Sequence, residues 1–132
     1  MTALSPGTFV EHFVAAMERS DMAAVAASFD PHVRAFITNA QGGTDLVEGS
    51  AALEQRFPDF AAMADSFTAT LTQVAEIDEH TVLAMVEIKA ARLGRTLHNF
   101  AGILIRISDA GKMTEYRMVE ALPEESDRFW SA

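Results

Sequence analysis

Few of the side chains able to carry a proton or orient a ligand stand in apolar company, and Glu120 is the foremost of them. It closes a run, Met113 to Ala121, that also holds Tyr116 and Met118. Desolvation at the apolar end of a pocket disfavours a charged carboxylate, which suits a general acid or base working near neutral pH. The alternative for Glu120 is a solvated position at the pocket mouth, or pairing with Arg92. Tyr116, the one tyrosine, suits donation to a carbonyl or oxyanion, although an inward tyrosine also packs its ring and finds a local partner. Asn99 and Asn39 are able to orient a ligand or a water, and Asn39 alternatively closes a turn.

Other chemistries find little support. The four histidines, His12, His32, His80 and His98, have no ligand spacing on a common element, and the chain has no cysteine. No metal site is therefore expected. Gly42-Gly43 and Gly49 fit neither a dinucleotide fingerprint nor a phosphate loop, so no cofactor is expected. Ser50 reads as a helix cap rather than a nucleophile. The formal charge of −9, from 10 Lys+Arg against 19 Asp+Glu, opposes a phosphate backbone and argues against nucleic acid as a partner.

The elements that must position Glu120 and Tyr116 come from a chain of 132 residues, 49% hydrophobic and 22% charged, the size and composition of one globular domain spanning residues 1–132. No apolar run approaches the ~20 residues of a membrane helix. Met1 to Gly7 has no basic patch leading into an apolar run, so the expectation is a cytoplasmic protein without a membrane partner. Phe9, Val10, Phe13, Val14 and Met17 recur at helical spacing behind Ser5-Pro6, a cap and first-turn pair. Asp21 caps a second helix, on which Met22, Val25, Ala26 and Phe29 share a face and which Asp30-Pro31 ends. A short strand is expected over Val33 to Thr38, then a turn at Gly42-Gly43. A third helical segment follows Gly49-Ser50, with Leu53, Phe57 and Phe60 apolar and a break at Pro58.

From Phe67 the period changes to two. Four strands are expected, at Phe67 to Thr72, Thr81 to Leu93, Thr96 to Ile107 and Met113 to Ala121, with turns at Asp78-Glu79, Leu93-Gly94 and Ser108 to Gly111. Helices followed by strands define an α+β domain with N-terminal helices packed on a curved antiparallel sheet. Val82, Ala84, Val86, Ile88 and Ala90 share parity, as do Ala101, Ile103, Ile105 and Ile107. An even loop at Leu93-Gly94 brings both sets to one interior face and turns Glu87, Lys89 and His98 outward. A four-residue turn at Ser108 to Gly111 then pairs Ile103 with Tyr116, Ala101 with Met118 and Asn99 with Glu120, whereas an odd turn points Glu115 and Arg117 inward. The acidic tail ends in Phe129-Trp130, a pair suited to covering an apolar edge.

This order of elements, with the ending Gly111-Lys112-Met113-Thr114-Glu115-Tyr116-Arg117-Met118-Val119-Glu120, resembles the SnoaL-like branch of the nuclear transport factor 2-like superfamily. The resemblance implies a cone-shaped α+β barrel with a pocket between helices and concave sheet, and a homodimer formed through the outer sheet face. Family members include ketosteroid isomerases, limonene epoxide hydrolases, polyketide cyclases and non-catalytic proteins. At the positions of the isomerases' tyrosine and two aspartates this chain carries Phe13, Ile37 and Ile103. Where cyclases and epoxide hydrolases place a final-strand aspartate, Met118 follows Tyr116. The epoxide hydrolases' Arg–Asp pair has only Glu87 and Lys89 as a counterpart, and Asn39 matches their water-holding asparagine. The expectation is a small-molecule pocket protein acting by proton transfer on an apolar carbonyl compound. Glu120 and Tyr116 would be catalytic, and Asn99, Asn39, Met118, Phe13, Phe57, Phe60 and Ile103 would bind the substrate. The alternative is a non-catalytic ligand-binding or dimerisation module.

Overall fold

The computed structural model describes residues 5–131. Helix α1 (Pro6–Glu18) starts where the Ser5 hydroxyl accepts from the Thr8 amide at 3.2 Å, and α2 (Met22–Ala27) where Asp21 accepts from Ala24 at 3.1 Å. Each cap satisfies an amide that the first helical turn leaves without a partner. Strand β1 (Phe29–Thr38), β2 (Thr44–Glu48), α3 (Ser50–Glu54) and the single turn α4 (Phe60–Met63) follow. The meander is β3 (Ser66–Asp78), β4 (Thr81–Arg92), β5 (Arg95–Ile107) and β6 (Met113–Glu120), and helix α5 (Pro123–Trp130) comes last.

Six strands form one sheet in the order β2-β1-β6-β5-β4-β3. The pair β1–β6 is parallel and the others are antiparallel. The sheet is therefore mixed and open, with β2 and β3 as edges, instead of a closed antiparallel barrel. Phe9, Val10, Phe13 and Val14 of α1 are buried against the inward residues of the sheet in the main core. Glu18 reaches from α1 to accept from the edge-strand amide of Ala69 at 3.0 Å.

The interior parity of β4 and β5 follows the expected alternation. Arg92 pairs with Arg95 across Leu93-Gly94, whose φ angles of 50° and 74° form the two-residue loop that suits hairpin twist. The register of β6 differs from expectation. Ala101 lies opposite Glu120, Ile103 opposite Met118 and Ile105 opposite Tyr116, so β6 is displaced by two residues and Asn99 does not face Glu120. The cause is an odd connection between Ile107 and Met113 followed by an extra residue, Thr114, between the pairs Ile107↔Met113 and Arg106↔Glu115. A one-residue bulge reverses parity, so odd turn and bulge cancel and Tyr116 still points inward.

Three further differences have local causes. Phe29 opens β1 instead of closing α2, and Pro31 is tolerated because β1–β6 pairing is interrupted between Phe29 and Arg34. The region after Gly42-Gly43 contains strand β2. The tail is helical: Phe129 is buried against the paired residues Ala90 and Leu97 in a second apolar cluster, so the tail covers the β4–β5 hairpin end of the sheet.

Candidate functional site

A cavity of about 220 Å³ opens between the concave sheet and the segments laid over it. Ile103, Tyr116, Met118 and Glu120 form part of its wall on the sheet side, and Phe57, Phe60 and Trp130 part of it on the helical side. A dry cavity of about 150 Å³ accommodates benzene, so this space admits one ring with small substituents. Its inner end rests on packed aromatic rings, with Phe57 and Tyr116 at 5.4 Å between centroids and Phe13 edge-on to both at 5.6 and 6.2 Å. Phe13 thus backs the wall without lining it. At the outer end Phe60 stacks on Phe67 at 5.5 Å, and Trp130 meets Phe60 at 5.2 Å.

Tyr116 is buried, and among the described residues its hydroxyl has no hydrogen-bond partner. No side-chain polar atom sealed from solvent lacks a partner among these residues, so this hydroxyl borders the cavity. Burial, and secondarily the charge of Glu120, push its pKa far up, keeping the phenol a donor. Glu120, the last residue of β6, accepts from the Ser126 hydroxyl at 3.1 Å. Burial raises its carboxyl above the usual carboxylate range, against a smaller opposing effect of the Ser126 bond. The two residues lie four apart on one strand, about 13 Å of backbone. They address different parts of the space.

Arg92 is not the partner of Glu120. Its guanidinium donates to the carbonyls of Phe129 and Ser131 at 3.0 and 3.1 Å, and Arg95 donates to that of Arg128 at 2.9 Å. These cations hold the carbonyl end of α5, where the helix dipole favours positive charge. The start of α5 is fixed by Asn99. Its amide donates to Leu122 O at 2.9 Å and Ser126 Oγ at 2.8 Å, and its oxygen accepts from the Leu122 and Phe100 amides at 3.0 and 2.8 Å. Fully buried and fully bonded, Asn99 does not line the cavity but holds the helix that carries Ser126 and Trp130 over it.

Asn39 also acts at one remove. Its oxygen closes the β1–β2 turn on the Gln41 and Gly43 amides, and its amide donates to Asp45 Oδ1 at 3.0 Å. Asp45 Oδ2 lies 3.2 Å from Arg56 Nη1, and Arg56 lies on the cavity wall. The Asn39 hydrogen bond, then Arg56, hold the Asp45 carboxyl below its ordinary value.

Sequence reasoning did not single out Arg56, Ser126 or Phe67 as wall residues. Arg56 had one signal: it is the only cation between Arg34 and Lys89. On the outer face His98 pairs with Lys89 in register and sits 2.7 Å from Glu87, away from the cavity, as parity indicated. No group of three or more His, Cys, Asp or Glu able to hold a metal occurs among the described residues.

An open α+β cone whose concave sheet and covering helices enclose one small, mostly apolar cavity is the architecture of a pocket-bearing domain. The chain belongs to the SnoaL-like domain family, whose model matches residues 10–116. An uncharacterized protein of Mycobacterium tuberculosis is 28% identical over 123 residues, covering 92% of this chain and 93% of the relative. The solved structure of Bal32a from a soil-derived mobile gene cassette superposes with TM-score 0.78 at 21% identity, covering 94% of this chain and 95% of its own. Rv0760c from M. tuberculosis, in complex with estradiol-17beta-hemisuccinate, superposes with TM-score 0.73 at 15% identity, covering 87% and 93%. None of the described helices is long and apolar enough to cross a membrane.

Proposed function

We propose that this chain binds a small apolar carbonyl compound in the cavity and that Glu120 exchanges a proton with it, as in an isomerase, cyclase or hydratase. The supporting observation is the buried Tyr116 hydroxyl, which borders the cavity and has no protein acceptor. A ligand carbonyl in the cavity would give that hydroxyl the acceptor that the protein does not supply. Tyr116 holds the oxygen, while Glu120, with its ionised form disfavoured, takes or returns a proton at a carbon further along the ligand. Rv0760c, which shares the fold, has been solved with a steroid ester, and this supports occupancy by ring compounds.

Small cyclic ketones incubated with the protein in D2O test this reading. With conjugated ring enones, whose acidic γ-carbon lies away from the carbonyl, proton NMR should show catalysed loss of γ-proton signals, abolished in Glu120→Gln. A set of ring ketones that fit the space yet neither exchange protons nor raise the melting temperature would refute it.

The convex face favours a second role compatible with the first. Leu83, Met85, Phe100 and Val119 are exposed there and adjoin across β4–β5–β6, Met85 lying opposite Gly102 and Gly102 opposite Val119. We infer a homodimer through this face, since an isologous contact places the same apolar patch on both sides. Light scattering should give twice the chain mass, and Val119→Glu should return it to one; a wild-type monomer refutes this role.

A further inference from the structure

Arg56 is a charged side chain on the wall of a mostly apolar cavity, and its placement depends on two elements other than its own. It lies in the segment after α3, its Nη1 is held at 3.2 Å by Asp45 of β2, and Asp45 is held by Asn39 of the β1–β2 turn at 3.0 Å. A guanidinium carries five N–H donors. Asp45 Oδ2 occupies one nitrogen, and among the described residues Nε and Nη2 have no protein partner. A surface arginine paired with one carboxylate is ordinary, but here the same cavity also contains the unpartnered donor of Tyr116. Its wall thus offers donors at two separate places, and a ligand that satisfies both must carry two acceptor groups.

We propose that the ligand of this pocket is an apolar ring compound bearing an anionic oxygen group, a carboxylate or an enolate, which Arg56 binds as the specificity-determining residue. The proposal rests on the pocket reading above and adds the charge of the ligand. An arginine with two free nitrogens matches the paired oxygens of a carboxylate, and such charge-assisted bonds are roughly twice as strong as neutral ones. Of the charges behind the net −9, the carboxyl groups that bear on an anion here are Asp45, which is paired with Arg56, and Glu120, whose ionised form is disfavoured by burial; exposed charges more than about 8 Å away are largely screened at physiological salt. Asp45 fixes the guanidinium without using all of its donors.

The test compares phenylacetate with phenylacetamide, ligands of one shape that differ in charge, by calorimetric titration at pH 7.5. The wild-type protein should bind the acid at least ~10-fold more tightly, the scale of one charge-assisted contact. Arg56→Gln should bring the acid down to the amide's affinity, weakening the acid far more than the amide. Arg56→Lys should recover part of the difference, since a lysine keeps the charge but not the fork. Equal affinities in the wild type, or a preference that survives in Arg56→Gln, overturn the anionic assignment while leaving the pocket reading in place. Binding of neither ligand overturns both. Acid binding that depends on Arg56 while Tyr116→Phe leaves the amide unaffected supports the anion site and counts against Tyr116.

Discussion

Replacing Asn99 with alanine should release the C-terminal helix while leaving the rest of the sheet folded. Asn99 is fully buried and makes four hydrogen bonds, three of them to residues at the start of α5. At about 1 kcal/mol net for each bond, the full set is worth about 4 kcal/mol. Leu122 is 45% exposed, so water can re-solvate its freed amide and carbonyl; the expected loss is about 2–3 kcal/mol. That is a large share of the about 5–15 kcal/mol by which domains are stable. Trp130 is the only tryptophan and sits on α5 against Phe60 and Phe129. Urea unfolding followed by its emission should therefore show α5 leaving at lower denaturant than the β-sheet signal in far-ultraviolet circular dichroism. In the wild type the two curves should nearly coincide. An Asn99→Ala protein with coincident curves and a midpoint unchanged from wild type would refute the claim that this residue tethers the helix.

Three further outcomes follow from the same geometry. Burial raises the Glu120 carboxyl above the 4.5 of an ordinary glutamate, so the native state holds that proton more tightly than the unfolded chain does. Its contribution to stability is complete below pH 4.5 and is lost as pH rises through the raised native value. Thermal melts should then show Glu120→Gln gaining on the wild type from pH 4 to pH 8, and a constant difference would contradict this. Tyr116→Phe should change unfolding stability by less than about 0.5 kcal/mol, because no protein bond is lost; a larger loss would reveal a hidden partner. Ala101→Leu, with free space beside it, should be nearly neutral in denaturant unfolding and should block ligand binding. Ala84→Leu, fully buried and away from the cavity, should cost about 1–3 kcal/mol by overpacking; equal costs at the two sites would deny the space.

Strict alternation made β4 and β5 legible, because a strand with one buried face writes its orientation into every second residue. Strand β2 carries no such record: Thr44, Leu46 and Glu48 are exposed, and Asp45 and Val47 only partly covered. Helix α5 was hidden by its polarity, since Phe129 alone of its residues is buried. The bulge at Thr114 has no signature either, a threonine being ordinary in any strand, and the inward placement of Tyr116 survived only because two parity changes cancelled. Arg56 was missed for a related reason. What makes it a wall residue rather than a surface cation is Asp45, eleven positions away on the strand that sequence pattern did not reveal. Glu120, Tyr116, Met118, Phe57, Phe60 and Ile103 line the cavity; Asn99, Asn39 and Phe13 support it from behind.

The cavity exists because side-chain bulk falls along the inward rows of the sheet. In the row Val82–Ile105–Tyr116 every inward position is large, and both aliphatic residues are fully buried. Two pairs further along, in the row Val86–Ala101–Glu120, the centre is alanine. Above that row α5 offers Ser126, while its Phe129 is buried in the separate cluster with Ala90 and Leu97. An isoleucine in place of Ala101 would fit the surrounding apolar wall, yet that position is small, whereas Ser126 is kept small and polar by its bonds to Asn99 and Glu120. At about 24 cal/mol per Å³, the roughly 220 Å³ left open forgoes up to about 5 kcal/mol against a filled core. Against the about 5–15 kcal/mol by which domains are stable, that is a large sum, and packing alone gives no reason to keep such a space beside a half-buried carboxyl. A ligand that fills it and bonds Tyr116 would restore much of the forgone contact energy on binding.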